Sequence, residues 1–298
     1  MHRLGLLGLD TSHGEMFANR LAEREDVDLA YVWDGGVTRD DAYTEDFCQT
    51  HGATRTERPV DMPDDVDGAL ILTVDWDQHV PLARPFLEAD VPVLIDKPIV
   101  GSTAHLKALR SAIAESEATI FGGSAVPFYD LLAALPTGVA NRSIFAAGYN
   151  DPFYYGVHLT DTLRRLAGAD WSLVRPQRVG GDGASVEFDN GAAGVIRLDG
   201  PSADGTFAFL DVADRTRTIT IPSDAGAFED MYDRYLSGFI ETIAGDRDDA
   251  SLLLDAAGLL LGLTRAREQD SPICAADGGI TSFSKSADPF VADYSPYY

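Results

Sequence analysis

The first 125 residues alternate short apolar runs with amphipathic stretches, and this alternation limits the possible folds more than any other feature. The apolar runs, which are the strand candidates, are residues 4–9, 27–33, 68–74, 91–95 and 118–121. The helical patterns between them are residues 15–24, 80–89 and 104–115. Short strands that alternate with helices predict a doubly wound parallel sheet with crossover helices on its faces.

The pattern changes after residue 124. A helical stretch at 155–167 is followed by strand-like runs separated by turn residues, at 174–179, 184–188, 194–198, 206–212 and 216–221. Two helical patterns, 228–244 and 252–265, then precede a tail from residue 282 that we expect to be irregular. This order predicts an α+β domain with an open, mostly antiparallel sheet. Because 298 residues suffice for two domains, we predict domains at 1–124 and 125–298.

The chain is strongly acidic, with 48 Asp and Glu residues against 23 Lys and Arg residues and a formal net charge of −25. An acidic surface repels nucleic-acid phosphates and anionic lipids, so we expect neither as a partner. Only three of the bases are lysines. We interpret lysine depletion with excess Asp as adaptation to a salt-rich cytoplasm, where self-repulsion is screened. An ordinary acidic enzyme is the alternative.

No segment predicts a membrane span, an export signal or a metal site. Every apolar stretch is shorter than the roughly 18 residues that a span requires. The chain begins directly with a strand-like run and shows no signal-peptide pattern. Cys48 and Cys274 lie far apart and match no metal-binding spacing. We therefore expect a cytoplasmic protein without a metal.

The turn after the first predicted strand resembles, in part, the dinucleotide fingerprint G-x-G-x-x-G of Rossmann domains. Gly8 takes the first glycine position, Asp10 the second and His13 the third. Asp10 places a carboxylate where phosphates would lie, unless it turns away from the ligand. Thr11 or Ser12 would cap the following helix, whose N-terminus favours anions.

The second predicted strand, Val27–Trp33, ends at Asp34. An acid at this position accepts hydrogen bonds from the adenosine ribose, which favours NAD over NADP. A plain loop aspartate is the alternative. His79 opens the helix after the third predicted strand, where it lies near the nicotinamide or merely near a helix start.

Lys97 is the strongest candidate for chemistry. It follows the apolar run 91–95 and precedes Pro98, which keeps Lys97 extended at the carboxyl end of a strand. Ligands of open α/β sheets bind at this edge. His158 and Asp161 are three residues apart on one helix face. A histidine there is suited to moving a proton to or from a hydroxyl at neutral pH.

The order of these residues resembles the glucose–fructose oxidoreductase / inositol dehydrogenase (Gfo/Idh/MocA) family. The segment 96–98, Asp-Lys-Pro, looks like the family's Glu-Lys-Pro motif. The segment 156–161, Gly-Val-His-Leu-Thr-Asp, looks like its Gly-x-His-x-x-Asp motif. His79 lies where many members carry a histidine, and the nucleotide turn departs from the pattern because it keeps only one fingerprint glycine.

The resemblance implies a Rossmann domain, a C-terminal α+β domain that often forms homodimers or homotetramers, and NAD(P)-dependent chemistry on a sugar, polyol or related hydroxy compound. Lys97 would polarise the substrate, His158 would act as acid or base, and Asp161 would orient the substrate or His158. The expected cofactor contacts are Gly8, Asp10, Thr11, Ser12, His13, Asp34, Thr73, His79, Asp96, Lys97 and Pro98. Two alternatives remain: a non-redox ligand-binding or regulatory descendant, and a redox-neutral lyase or hydrolase with tightly bound NAD.

Overall fold

The computed structural model describes residues 1–35, 38–178, 180–200, 207–221, 225–276, 280 and 282–295. Two sheets organise these residues. The first is built from the N-terminal elements β1 His2–Leu7, α1 Ser12–Ala22, β2 Val27–Trp33, α2 Asp41–His51, β3 Thr54–Arg55, β4 Gly68–Ile71, α3 His79–Glu88, β5 Val93–Ile95, α4 Thr103–Ala114 and β6 Ile120–Gly122.

The first sheet has six parallel strands in the order β3-β2-β1-β4-β5-β6. Leu4, Leu6 and Leu7 of β1 are fully buried, and so is every residue of β5. A parallel sheet covered on both faces requires such continuous apolar strands, which is why the sequence predicted them. This topology is the doubly wound Rossmann arrangement, as expected.

The second sheet has seven strands in the order β12-β11-β7-β10-β9-β8-β13. The strands of this sheet and the helices of the same part of the chain are α5 Asp130–Ala133, β7 Ser143–Tyr149, α6 Gly156–Ala167, β8 Trp171–Gln177, β9 Gly183–Phe188, β10 Ala193–Gly200, β11 Phe207–Val212, β12 Thr216–Ile221, α7 Ala225–Ile243, α8 Ala250–Gln269, β13 Ile273–Cys274 and α9 Asp288–Asp293. Its strand pairs are antiparallel except β7–β10. The predicted fold class is confirmed.

Helix α7 and the C-terminal segment return to the first sheet. Tyr235 and Phe239 of α7 share a buried cluster with Leu4 of β1. Phe283 and Ala287 pack in another cluster with Ile71 of β4. The residues after 124 therefore help to cover the N-terminal sheet, and the boundary predicted at residue 124 stays a prediction.

The predicted irregular tail was wrong for residues 288–293, which form α9. Phe290 of this helix packs on Tyr154, with ring centroids 4.3 Å apart, and on Trp76 at 5.6 Å. Apolar contact with these rings supplies the order that the Ser- and Pro-rich composition did not predict. Residues 179 and 206, which belong to two predicted strands, and residues 296–298 of the tail lie outside the described residues.

Candidate active site

A cavity of about 1020 Å³ lies beyond the carboxyl ends of the first sheet's strands. Thr11, Ser12 and His13 at the start of α1 form one side of it. Lys97, just after β5, and His158 in α6 also line it. The remaining walls come from the segment that leads into α6, from α7 and from residues 284–295. The fold thus brings the two predicted motifs and the start of α1 to one space.

Lys97 is 8% exposed, and its Nζ lies 3.1 Å from the ring centroid of Tyr154. Within the described residues, no carboxylate oxygen is within ion-pair distance of this nitrogen. Burial lowers the pKa of Lys97 to about 8, although the charges of Asp96 and Asp151 act to raise it. Lys97 is therefore mostly protonated at pH 7 and loses its proton at a lower pH than an ordinary lysine.

His158 is held by Ser124, a residue that sequence reasoning missed. Ser124 Oγ lies 2.7 Å from His158 Nδ1 and accepts a hydrogen bond from the backbone N–H of Val126 at 3.0 Å. Desolvation, together with the positive charges of Lys97 and His13, holds the pKa of His158 well below its usual value. The ring is therefore neutral at pH 7.

Asp161 reaches His158 through Ser124. Its Oδ2 accepts a hydrogen bond from the Ser124 backbone N–H at 2.7 Å, and the side chain is 4% exposed. Gly123, at φ +68°, makes this approach possible, because a Cβ there would lie 2.4 Å from Asp161 Oδ2. Burial raises the pKa of Asp161 to about 7. Asp161 lies outside the cavity lining, so it supports the site from behind.

Gly8 makes the turn that follows β1. Its φ is +98°, and a Cβ would lie 2.7 Å from the backbone nitrogen of Thr73. Gly14, which sequence reasoning passed over, allows α1 to approach the turn, because its Cβ would meet Leu9 Cδ2 at 3.3 Å. Gly14 thus does, one position later, the packing work of the third fingerprint glycine. The N-cap is Thr11, whose side chain accepts from the His13 backbone N–H.

Asp10 turns its carboxylate along the strand ends and away from α1. It is 1% exposed and accepts hydrogen bonds from the Thr38 hydroxyl at 2.7 Å and the Val74 backbone N–H at 2.8 Å. Burial raises the pKa of Asp10. Asp34 is also buried, and it accepts a hydrogen bond from the Leu9 backbone N–H at 3.1 Å. Both acids therefore brace the nucleotide turn.

His13 connects α1 to the segment after β5. Its Nδ1 lies 2.9 Å from Asp96 Oδ2, and its Nε2 lies 3.3 Å from the Tyr232 hydroxyl. Burial raises the pKa of Asp96, but the charge and hydrogen bond of His13, with the charge of Lys97, outweigh it and leave this pKa lowered. Asp96 is thus a buried, ionised carboxylate beside His13 and Lys97. Pro98 follows Lys97 directly and belongs to the same segment.

His79 is fully buried and lies outside the cavity lining. Its Nδ1 is 3.0 Å from the Pro98 carbonyl oxygen, and its Nε2 is 2.9 Å from that of Thr73. The ring thus ties the segment after β4 to the segment after β5. These contacts are those of a structural residue, and its position gives no support to a direct cofactor contact. Thr73 is 6% exposed and closes over Gly8.

Aromatic rings form much of the cavity wall. His158 packs against Phe207, with ring centroids 4.9 Å apart, and Tyr149 packs against Tyr155 at 5.2 Å. The C-terminal segment supports the rim, because the Trp76 indole N–H donates to the Lys285 carbonyl oxygen at 2.8 Å. No local pattern in the sequence links these distant positions.

Comparison with known proteins agrees with this geometry. Residues 2–124 match the model of the oxidoreductase family with an NAD-binding Rossmann fold. The N-terminal part of this chain therefore resembles the Gfo/Idh/MocA oxidoreductases, and the match covers less than half of the chain. No curated protein sequence matches the chain.

Several solved structures resemble the fold over 92% of this chain. They include a myo-inositol dehydrogenase from Corynebacterium glutamicum, with a TM-score of 0.76, 14% identity and coverage of 92% of this chain and 99% of that chain. A putative myo-inositol dehydrogenase from Sinorhizobium meliloti has a TM-score of 0.74 and 17% identity, with coverage of 92% of this chain and 99% of that chain. GenD2 from gentamicin A biosynthesis, solved in complex with NAD, has a TM-score of 0.73 and 17% identity, with coverage of 92% of this chain and 96% of that chain. At these identities the likeness shows the fold alone.

NAD is the group that the Gfo/Idh/MocA match implies, and the residues at the start of α1 fit its phosphate end. They border the cavity at a helix N-terminus, where backbone N–H groups and the helix dipole favour anions. The Asp10 carboxylate is bound by other residues and directed elsewhere. In the described residues, no helix could cross a membrane, and no cluster of three or more His, Cys, Asp or Glu residues could hold a metal.

Proposed function

We propose that the chain is an NAD(P)-dependent oxidoreductase that acts on a CH–OH group of a sugar, polyol or related hydroxy compound. One observation carries the proposal: Lys97 and His158 line the same cavity as the first residues of α1. Interconversion of an alcohol and a carbonyl compound needs a proton-exchanging group and a hydrogen-bond donor at the oxygen. The nicotinamide supplies or accepts the hydride when it is bound.

Lys97 and His158 have complementary states for this chemistry. The Lys97 ammonium donates to a substrate oxygen, and its pKa of about 8 lets it release and regain a proton near neutral pH. His158 is neutral, so it binds the same oxygen without adding a charge. Asp161 fixes the backbone of Ser124 and thereby the support of His158.

The wall of the cavity supports a substrate with hydroxyl groups and apolar C–H faces. Tyr149, Tyr155 and Phe207 offer ring faces beside His158. The structural relatives whose names are myo-inositol dehydrogenases add polyols to the candidates. NAD is the expected cofactor and NADP the less favoured one, because the Asp34 carboxylate lies at the end of β2 and would repel a 2′-phosphate.

Calorimetric titration of NADH and NADPH in molar KCl tests the proposal directly. Wild type is expected to bind NADH in the micromolar range and NADPH more weakly. A screen of polyols and sugars for NADH production then follows, with Lys97→Ala and His158→Ala as the controls that lose turnover. Wild type that binds neither nucleotide and oxidises no compound in the screen would refute the proposal.

Asp10 favours a second candidate, a non-redox ligand-binding or regulatory protein on the same fold. Asp10 stands at the second fingerprint position, where a glycine lets the backbone approach pyrophosphate, even though its carboxylate is directed to Thr38 and Val74. Titration of Asp10→Gly decides between the candidates. If only Asp10→Gly binds NADH, the turn has lost its cofactor and the second candidate leads. Equal binding by wild type and variant supports the oxidoreductase.

We also propose a homodimer or homotetramer in the cytoplasm of a cell with a salt-rich interior. An exposed apolar face of the second sheet supports the assembly: Phe145 of β7 is 47% exposed beside a surface hollow of about 430 Å³. The composition supports the compartment, with a net charge of −25. Light scattering after size exclusion, at low and at molar KCl, measures both the subunit number and its dependence on salt. A monomer at every salt concentration would contradict the assembly.

A further inference from the structure

Ser124 lies between His158 and Asp161, although no motif marks it. It is 2% exposed and outside the cavity lining. Its backbone N–H donates to Asp161, and its hydroxyl oxygen lies 2.7 Å from His158 Nδ1. Ser124 therefore touches the ring nitrogen that faces away from the substrate space, while His158 itself lines the cavity.

The direction of the Ser124–His158 hydrogen bond follows from counting donors. A hydroxyl has one hydrogen and two acceptor positions, and one acceptor position is taken by the Val126 backbone N–H. Within the described residues, the hydroxyl hydrogen has one acceptor, His158 Nδ1. If Nδ1 donated instead, the hydroxyl hydrogen would have no acceptor among the described residues, so the arrangement favours a hydroxyl that donates and an Nδ1 that accepts. A neutral imidazole with a bare Nδ1 carries its hydrogen on Nε2.

We propose that Ser124 is a positioning residue that holds His158 in the Nε2–H tautomer, so that His158 donates a hydrogen bond to the substrate oxygen and Lys97 exchanges the proton. The role at the substrate oxygen rests on the proposed function. In alcohol oxidation the substrate C–H bond would give its hydride to a bound nicotinamide, which is reduced. The O–H bond breaks, and its proton passes to the lone pair of deprotonated Lys97 Nζ, which becomes an ammonium. In the reverse direction the ammonium returns this proton to the oxygen, and the His158 N–H stays intact.

The surroundings of Ser124 exclude the other use of a Ser–His pair. A serine nucleophile must reach the substrate, whereas Ser124 is buried and its oxygen is bound by Val126. His158 also has no free basic nitrogen, because Nδ1 accepts from Ser124 and Nε2 carries the hydrogen. Desolvation, with the charges of Lys97 and His13, outweighs the charge of Asp96 and keeps the His158 ring neutral. Ser124 and His158 therefore provide a hydrogen-bond donor, the His158 Nε2–H, and do not activate the serine as a nucleophile.

Nitrogen NMR of the full chain, labelled with ¹⁵N-histidine, tests the tautomer without any substrate or cofactor. His158→Gln assigns the His158 signals among those of the six histidines. Wild type is expected to show Nδ1 bare and Nε2 protonated at pH 7.5. Ser124→Ala is expected to give a mixture of tautomers, and Ser124→Thr, which keeps a hydroxyl, to restore the wild-type pattern. Unchanged signals of the other five histidines show that the variant is folded.

The Nδ1–H tautomer in wild type would overturn the proposal, and so would an unchanged His158 spectrum in Ser124→Ala. If Ser124→Ala does not fold, the wild-type spectrum alone still decides the tautomer. These outcomes do not depend on turnover. A failure of the proposed oxidoreductase function is therefore distinguishable from a failure of this inference.

Kinetics separate the donor role of His158 from a base role, with the polyol or sugar that the screen identifies. A glutamine donates through its amide N–H but takes up no proton. His158→Gln is expected to stay within about tenfold of wild-type turnover, whereas His158→Ala loses about 100-fold and Lys97→Gln about 1000-fold. Equal losses in His158→Gln and His158→Ala would show that the histidine takes the proton, which contradicts the proposal.

Discussion

Replacing Lys97 by methionine is expected to stabilise the protein at pH 7 while it abolishes turnover. The ammonium is 8% exposed, and within the described residues no carboxylate pairs with it. The pKa of Lys97 falls from the usual 10.5 to about 8, which corresponds to roughly 3 kcal/mol of unfavourable free energy in the charged folded state. Methionine has a similar length and no charge to desolvate.

The contact of Lys97 with Tyr154 reduces the expected gain. Its Nζ lies 3.1 Å from the ring centroid, and a desolvated cation–π contact contributes up to about 2 kcal/mol. The net stabilisation in Lys97→Met is therefore about 1–3 kcal/mol at pH 7. Because the folded pKa is depressed, the unfolded chain binds more protons between pH 8 and 10.5, and wild-type stability rises through that window. The advantage of Lys97→Met should consequently vanish near pH 10.5.

Urea unfolding in molar KCl, at pH 7 and at pH 10.5, measures this difference as a change in the transition midpoint. Lys107→Met is the matched control, because Lys107 is exposed on α4. Its midpoint is expected to change by less than the equivalent of about 0.5 kcal/mol at both pH values. A Lys97→Met protein that is less stable than wild type at pH 7, or equally stabilised at both pH values, would refute the reasoning.

Three further predictions concern groups in the cavity wall and behind it. Burial raises the pKa of Asp161 from 3.8 to about 7, so wild-type stability falls as pH rises through that window. Asp161→Asn should therefore unfold at higher urea than wild type at pH 8, and this difference should shrink as pH falls and vanish below about pH 4. Gly123→Ala places a Cβ 2.4 Å from Asp161 Oδ2 and should lower the free energy of unfolding, measured in urea, by about 2–4 kcal/mol. Gly138→Ala is the control, because Gly138 also has a positive φ but lies in open space; its free energy of unfolding should fall by only about 1–2 kcal/mol. Competitive acylation read by mass spectrometry should give Lys97 a midpoint near pH 8, and Asp151→Asn should move it lower, because that charge acts to raise it.

The first sheet was predictable because its strands are buried on both faces and read as continuous apolar runs. Strand β2 occurs at the predicted residues, Val27–Trp33. Helix α2 was missed because only Thr44, Phe47 and Cys48 are buried in it, which leaves a weak periodic signal. The sequence does contain its capping residues. The Asp40 side chain accepts a hydrogen bond from the Tyr43 backbone N–H at the start of α2, and Gly52, in the left-handed region, ends the helix.

Strand β7, Ser143–Tyr149, was missed for a different reason. Its buried residues include Ile144 and Ala146, so it alternates as a half-buried strand does, but alanine and glycine replace the β-branched residues that mark strands. The tail was missed because its order comes from Trp76 and Tyr154, more than 100 residues away in the chain. Contacts of this range leave no local pattern.

In the candidate site, too, residues marked by a local sequence pattern were predictable, and residues placed by long-range packing were not. Lys97 and His158 were predictable, because one follows a strand and the other lies on a helix face. Ser124 was not, since its partners are defined by the packing of α6 against the segment after β6 and not by spacing. Asp161 was expected to act on His158 or on the substrate, and the structure inserts Ser124 between them. Spacing along a helix predicts a shared face, but it does not predict what a third element places there.

The choice of lysine at position 97 is consistent with the proton exchange that we propose. The chain carries only three lysines among 23 bases, so arginine supplies its positive charge almost everywhere else. An arginine would hold a buried anionic or polar group at least as well, through five donors. It cannot be deprotonated in a protein, however, whereas burial lowers the pKa of Lys97 to about 8. The distant surface acids do not offset this effect, because screening limits their range to about 3 Å in molar salt. The proposed proton exchange at position 97 is therefore open to a lysine and closed to an arginine, even in a chain that has nearly eliminated lysine.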